Sequence, residues 1–124
     1  MYIEFNNNPN RRSVGDCVIR AIAKATDQSW EAVYISLVKM GIEMKDLPNS
    51  NAVWEAYLRD IGFVQRALPD TCPNCYTVAD FALDHPEGRF IVATGTHAVA
   101  VVNGDIYDAW DSSNEIASYY FAER

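Results

Sequence analysis

Apolar residues in the first half of the chain recur at the spacing of an α-helix. Early in the chain, Val18, Ile22 and Ala25 fall on one face of such a helix. Arg20 and Lys24 take the opposite side. This spacing of three to four residues predicts an amphipathic helix that turns its apolar face to a core.

Two more helices are predicted between residues 27 and 62. The first begins at Asp27 or Ser29 and ends at Gly41, and the second follows the segment PNSN and closes at Gly62. Glycine is placed at these ends because it commonly follows the last turn of a helix. The apolar stripes consist of Trp30, Val33, Tyr34, Leu37 and Val38 in the first helix and of Val53, Trp54, Tyr57, Leu58 and Ile61 in the second.

The second half of the chain has the composition of β-strands. Four segments rich in β-branched and aromatic residues predict strands, and residues 63–68 predict a further short one. Thr77 and Asp80 have the spacing of a capping box, which predicts a short helix over 78–84. The four strand segments are 89–94, 97–102, 105–110 and 116–121.

An Asn-Gly pair at 103–104 separates two of these strands and favours a two-residue type I′ turn. Such a turn pairs Val102 with Asp105. Continued pairing would set His97 opposite Trp110, because residues directly opposed in a hairpin lie on the same face.

The same register selects one aspartate as a partner for the histidine. Asp108 lies on the face of His97 and diagonally across from it, within reach of a side-chain hydrogen bond. Asp105 and Asp111 have the wrong parity and point away. A slip of one residue would reverse this selection, so the prediction depends on the Asn-Gly turn.

The order of the elements predicts the fold class. Helices dominate the first half and hairpin-linked strands the second, which indicates an α+β fold. We expect one domain over residues 1–124, with N-terminal helices packed on a C-terminal antiparallel sheet.

Composition and charge restrict the partners that the protein can have. Of 124 residues, 49% are apolar, and the formal net charge is -7, which argues against a nucleic-acid partner. No apolar run reaches the roughly 18 residues that a membrane span requires. Residues 1–6 lack the basic and apolar regions of a signal peptide, so the expected location is the cytoplasm. The oligomeric state stays open.

Cys17 stands where the first predicted helix begins, directly after Asp16, its expected N-cap. The N-terminus of a helix stabilises a thiolate, and a neighbouring imidazolium of His97 would stabilise it further. Asp108 on the other ring nitrogen would hold the imidazole in place, which completes the arrangement of a nucleophilic cysteine site. The negative charge of Asp16, however, opposes thiolate formation.

Each of these residues also has a structural interpretation. A free cysteine such as Cys17 is often a buried core residue. His97 alone could bond the backbone at a strand end, Asp108 could cap a loop, and Trp110 could belong to the core. The catalytic interpretation is favoured because the residues occur together, in the required order and parity.

The segments GDCVIRAIA, HAVAVV and DAW resemble the papain-like cysteine peptidases. The resemblance implies a papain-like fold and a triad of Cys17, His97 and Asp108, with Asp108 in place of the family's usual asparagine. It also implies that Trp110 shields the histidine. The chain as a whole is similar to small papain-fold proteins of bacteria and their phages.

One position departs from that family. Its oxyanion-hole glutamine lies six residues before the cysteine, where this chain has Arg11. The backbone N–H of Cys17 can supply one donor. Asn10, Arg11 or Arg12 is the candidate for a second, so Asn10 and Arg11 are expected, with Trp110, to support the site.

Cys72 and Cys75 have CxxC spacing. A zinc site needs two further ligands, for which only Cys17, His85 and His97 remain among cysteines and histidines. A thioredoxin-type motif would open a helix directly, which this one does not. We therefore expect a turn with two ordinary thiols and neither metal nor cofactor, and a zinc or dithiol protein is the alternative.

These observations favour a cysteine-dependent hydrolase, a peptidase or an isopeptidase or amidase, that acts on a peptide or protein through a thioester. Two alternatives stay open, because a fold does not fix a function. One is an acyl transferase of the transglutaminase kind. The other is a catalytically silent papain-fold binding protein of phage or mobile-element origin.

Overall fold

The computed structural model describes all 124 residues and contains four helices and one six-stranded sheet. The α+β class predicted from the sequence is therefore confirmed. None of the helices is long and apolar enough to cross a bilayer. In chain order the elements are β1 (Tyr2–Glu4), α1 (Cys17–Thr26), α2 (Trp30–Met44), α3 (Asn51–Asp60), β2 (Phe63–Ala67), α4 (Val78–Asp84), β3 (Arg89–Ala93), β4 (Ala98–Val102), β5 (Asp105–Asp108) and β6 (Tyr119–Glu123).

The sheet has the strand order β1-β5-β4-β3-β6-β2 and is mixed. All neighbours are antiparallel except β1, which runs parallel to β5. The prediction of a purely antiparallel, C-terminal sheet is therefore wrong at this edge. A strand of three residues carries almost no periodic pattern, and its partner lies about a hundred residues further along the chain.

The predicted turn is present, since Asn103 and Gly104 have φ angles of 51° and 80°, as a type I′ turn requires. The pairing of Val102 with Asp105 is also confirmed. The ladder, however, does not continue to Trp110, because β5 ends at Asp108. There the N–H of the next residue donates to the Asp108 side chain over 2.8 Å, a local bond that competes with strand pairing.

One helix boundary differs clearly from the predicted one. Helix α2 continues past Gly41 to Met44, and Lys45 takes the left-handed cap position. Gly41 is buried, and a Cβ atom there would lie 2.7 Å from the carbonyl oxygen of Asp46. The absence of a side chain at Gly41 therefore allows the loop after α2 to pack closely against the helix. The capping box of Thr77 and α4 are formed as predicted.

The helices cover both faces of the sheet. A cluster of 18 buried residues joins α1, α2 and α3 to one face, and a cluster of eight lies under α4 on the other. Ala98 and Ala100 of β4 belong to the first cluster, and Val99 and Val101 to the second. The small alanine side chains allow α1 to pack closely on β4.

The turn at Gly104 gives a test of the hairpin. Gly104→Ala is expected to lower the free energy of unfolding by about 1–2 kcal/mol, because a side chain at positive φ is strained. Urea unfolding would measure the loss. Gly95→Ala is the control, since its Cβ would meet no atom within 4 Å and its φ is not in the left-handed region. Equal unfolding midpoints for the two variants would contradict the assignment of Gly104 to a strained, left-handed turn position.

Candidate active site

Helix α1 begins at Cys17, as the sequence predicts, and the thiol lies half-buried at its N-terminus. The backbone N–H groups of Cys17 and Val18 belong to the first turn, where no intrahelical acceptor exists. The aligned peptide dipoles make this end of the helix favourable for an anion. The sulfur atom is therefore positioned where its negative form is stabilised.

His97 and Asp108 form the contact predicted from the hairpin register. The Nε2 atom of His97 lies 2.5 Å from the Oδ2 atom of Asp108. The side chain of Asp108 is only 1% exposed, and that of His97 is 10% exposed. Since Nε2 is occupied by the carboxylate, Nδ1 is the ring nitrogen left to face the thiol of Cys17.

The pKa of the Cys17 thiol lies below its ordinary value. Burial raises this pKa, but it is outweighed by four lowering effects together. These are the hydrogen bonds from His97 and from the backbone N–H of Ala98, and the positive charges of His97 and Arg20. The surroundings therefore favour the thiolate, which is the nucleophilic form of cysteine.

The imidazole of His97 has the complementary shift. Burial lowers its pKa, but the hydrogen bonds to Asp108 and Cys17 and the attraction of their charges raise it to about 9. For Asp108 the effect of burial is opposite, since burial raises the pKa of a carboxyl group. The hydrogen bonds from His97 and Ser112 nevertheless bring the pKa of Asp108 below its ordinary value. The pKa shifts of the three groups therefore all act toward the same state, a thiolate, an imidazolium and a carboxylate.

Arg20 connects this triad to the start of α1. One guanidinium nitrogen lies 3.0 Å from Asp108 Oδ1, and the other bonds Asp16. Ser112 donates over 2.6 Å to Asp108 Oδ2, the oxygen that His97 also contacts. The indole N–H of Trp30 donates to Asp16 over 2.9 Å. Each buried charge thus has partners of opposite sign or hydrogen-bond donors, as buried charges require.

One sequence-based interpretation of this region is wrong, and another is confirmed only in part. Arg20 does not lie on the solvent-exposed side of α1 but is only 5% exposed. Asp16 occupies the N-cap position of α1, as predicted, but its side chain accepts no capping hydrogen bond from the helix. Because its charge is paired with Arg20, Asp16 does not act on Cys17 as an isolated negative charge. An i,i+4 Asp–Arg spacing was the available signal, but it occurs equally on solvated helices.

Trp110 packs against His97, as expected for a shielding residue, although the two are not paired in a ladder. Their ring centroids lie 4.8 Å apart at an interplanar angle of 36°. Trp110 is itself 46% exposed, so its interpretation as a core residue is wrong. Its ring keeps solvent from the imidazole, which helps to explain why the His97 side chain is nearly buried.

Asn10 and Arg11 do not support the site as predicted from the sequence. Both are exposed in the loop before α1 and donate their backbone N–H groups to Asn8 over 2.9 Å. Neither they nor Arg12 line the cavity beside Cys17. Local asparagine turns within the segment NNNPN hold this loop, since the side chains of Asn6 and Asn8 accept backbone N–H groups two residues further on.

A cavity of about 510 Å³ opens beside Cys17 and His97. Several of its lining residues come from α3 and the loop before it, including Asn49, Asn51 and Trp54. No Asp, Glu, Lys or Arg side chain lines it. Sequence reasoning missed this wall, because Trp54 is indistinguishable from a core residue of the α3 stripe.

Cys72 and Cys75 are joined by a disulfide bond in the loop between β2 and α4. The expectation of two ordinary thiols is therefore wrong. Close approach of the two cysteines follows from the short turn CPNC, whose ends are within reach of each other. Bonded to each other, these sulfurs are not thiolate ligands for a metal, and Cys17 is the free cysteine of the chain.

Comparisons of the chain with protein-family models, with curated proteins and with solved structures found no match. No relative therefore supplies a substrate or a reaction for this site. Its interpretation depends on the chemistry of the side chains themselves: a polarised thiol, an imidazole held by a carboxylate, and a neutral cavity beside both.

The reactivity of the thiol should depend on His97. Iodoacetamide is expected to alkylate wild-type Cys17 in a pH range below that of an ordinary thiol. In His97→Ala the pKa of Cys17 should rise, because the hydrogen bond and positive charge are lost. At a fixed lower pH the rate then falls roughly tenfold for each unit of the rise. Mass spectrometry of the alkylated cysteine across pH values would measure this.

His85→Ala is the matched control for that experiment. His85 is the second histidine of the chain and stacks on Phe81, against the cluster under α4. It is not among the groups that shift the pKa of Cys17. Identical pH profiles for wild type and His97→Ala would contradict the ion-pair interpretation, whereas an unchanged profile for His85→Ala is expected.

Removal of the buried guanidinium should cost stability. Arg20→Met leaves Asp16 and Asp108 buried without their shared cation, and we expect a loss of about 3–5 kcal/mol in the free energy of unfolding. Arg59→Met is the control, since Arg59 is exposed and such changes are usually within about 0.5 kcal/mol. Urea unfolding would measure both, and similar losses would refute the role of Arg20.

Proposed function

We propose that this protein is a cysteine-dependent hydrolase with a papain-like arrangement, acting on peptide, isopeptide or related amide bonds. The observation that carries the proposal is the 2.5 Å contact between His97 and Asp108 beside a thiol whose pKa is lowered. The chain order Cys17, His97, Asp108 and the nucleophile at the first residue of a helix support the same interpretation.

The first half of the proposed reaction forms a thioester. The thiolate of Cys17 attacks the carbonyl carbon, and the carbonyl π electrons move onto the oxygen. When the tetrahedral intermediate collapses, the C–N bond breaks and the His97 imidazolium donates its proton to the leaving amine. Asp108 keeps the ring oriented and stabilises its positive form, which is consistent with the raised pKa of His97.

The second half releases the acyl group. His97, now neutral, accepts a proton from water, and the hydroxide adds to the thioester carbonyl. Collapse of this intermediate breaks the C–S bond and returns the Cys17 thiolate and the imidazolium. No cofactor takes part in this sequence of steps. An amine in place of water would make the same site an acyl transferase.

The cavity suggests which substrates to try first. Its lining is uncharged apart from Cys17 and His97, so a charged group placed there would lose hydration without an ionic partner. We therefore favour acyl groups with small, uncharged side chains. The cavity volume of about 510 Å³ accommodates a few residues rather than a long peptide.

Turnover of fluorogenic peptide amides with uncharged residues before the scissile bond tests the proposal. Cys17→Ala is expected to reduce kcat/KM by roughly 10⁴-fold or more, because the nucleophile is lost. Acid quenching followed by mass spectrometry should detect an acyl group on Cys17 in wild type. Adding a primary amine distinguishes hydrolysis from transfer, since a transferase gives the new amide as product.

A substitution away from the triad provides the comparison. Ser113→Ala removes a hydroxyl group that donates to Asp111, and neither residue is hydrogen-bonded to His97, whose partner is Asp108. Its activity should match wild type. The hydrolase proposal fails if no acyl group is found on Cys17 with any acyl donor, including activated esters, while the thiol itself is reactive. That combination would favour a binding protein.

A further inference from the structure

Nucleophilic attack on a carbonyl group places negative charge on the carbonyl oxygen, which requires hydrogen-bond donors fixed in advance. The backbone N–H of Cys17 is one available donor, since it lies in the first turn of α1. The loop residues Asn10 and Arg11 do not line the cavity, so a second donor must come from elsewhere.

Apart from Cys17 and His97, seven residues around the cavity carry side-chain donors, and three of these donors are already engaged. The Trp54 indole N–H donates to Asn51, and the Tyr119 hydroxyl donates to Glu55. The Thr94 hydroxyl donates to the carbonyl oxygen of His97. Thr96 and Ser118 each offer one hydroxyl donor on a rotatable bond, whereas the carboxamides of Asn49 and Asn51 can each present two N–H donors.

Asn51 differs from Asn49 because its carboxamide is oriented. The Trp54 indole nitrogen can only donate, so the atom of Asn51 that it approaches at 3.0 Å is the oxygen Oδ1. Trp54 is 2% exposed and therefore fixed in the core. With Oδ1 held on that side, the Nδ2 group of Asn51 is turned away from the indole and has no acceptor within the protein.

The backbone of Asn51 is fixed as well. It is the first residue of α3, and the side chain of Ser50 caps this helix by accepting the N–H of Val53. The carboxamide of Asn51 is thus fixed both by the capped helix and by the buried indole. It loses little conformational entropy when it binds an anion. The side chain of Asn49, in the preceding loop, has no such restraint.

We propose that the Nδ2–H of Asn51, together with the backbone N–H of Cys17, binds the carbonyl oxygen as it becomes negative. This assignment rests on the proposed function and gives α3 a catalytic part in it. As the S–C bond forms, the π pair of the carbonyl moves to oxygen and is stabilised by both donors. On collapse the pair re-forms the double bond and the C–N bond breaks.

Two electrophiles separate this role from the reactivity of the thiol. p-Nitrophenyl acetate acylates Cys17 through a tetrahedral oxyanion, whereas iodoacetamide alkylates it by displacement at a saturated carbon without one. Asn51→Ala is therefore expected to slow acylation by roughly 10²-fold, the usual effect of losing one oxyanion donor. Alkylation at the same pH should change by no more than about twofold. Rates are corrected with Cys17→Ala.

Two further variants complete the experiment. Asn51→Asp keeps an oxygen for the Trp54 indole but has no N–H donor, so its ratio of acylation to alkylation should also fall. It reports on the donor even if Asn51→Ala fails to fold. Asn49→Ala lines the same cavity and is the matched control, with an unchanged ratio expected.

The outcomes distinguish the two proposals. If wild-type Cys17 alkylates like an ordinary thiol, the proposed function fails. If wild type is acylated rapidly and the ratio is unchanged in the Asn51 variants, the function stands and the assignment of Asn51 is overturned. A fall in the ratio for Asn49→Ala alone would transfer the role to Asn49 and would likewise overturn it.

Discussion

The guanidinium of Arg20 lies between two buried carboxylates, Asp16 at the start of α1 and Asp108 at the end of β5. A buried ion pair adds little net stability compared with apolar packing, but a buried charge that loses its partner is strongly destabilising. The interaction therefore specifies a geometry: the helix that carries Cys17 can pack only where Arg20 reaches Asp108. Everything in the candidate site depends on that fixed distance.

From this contact, charges alternate along one path. Asp16, Arg20, Asp108, His97 and Cys17 follow one another as acidic and basic groups in turn. This order favours the ionised forms of Asp108, His97 and Cys17, in agreement with their pKa shifts. Arg20 occupies Oδ1 of Asp108 and so leaves Oδ2 for the imidazole. The carboxylate that orients His97 is thus itself oriented, and the lowered pKa of the thiol is the last consequence of the arrangement.

The residues around the thiol have two kinds of chemistry. The imidazole of His97, its carboxylate and the covering ring of Trp110 would manage proton transfer in the proposed reaction. The other residues that line the cavity with Cys17 and His97 are uncharged and include the oriented carboxamide of Asn51 on α3. In the proposed reaction, proton transfer would thus belong to strand ends and stabilisation of the acyl oxygen to helix N-termini.

Local sequence patterns determined the elements and one contact of the site. The stripes of α1 and α3, the capping box of α4 and the Asn-Gly turn each depend on neighbours a few residues apart, and the turn register selected Asp108 as the partner of His97. Periodicity nevertheless placed Arg20 in solvent, because a charged residue beside an apolar stripe looks the same whether its partner is water or a distant carboxylate.

Only the tertiary structure decided how these parts meet. Strand parity alone would turn His97 and Asp108 toward the face of Val99 and Ile106, which α4 covers. They reach α1 because His97 precedes β4 and Asp108 ends β5, where side chains leave the alternation of the ladder. Three further features also depend on residues far apart in the chain: the parallel edge strand β1, the pairing of Arg20 with Asp108, and the cavity wall formed by α3. Sequence periodicity does not reveal such contacts, because it reflects only neighbours a few residues apart.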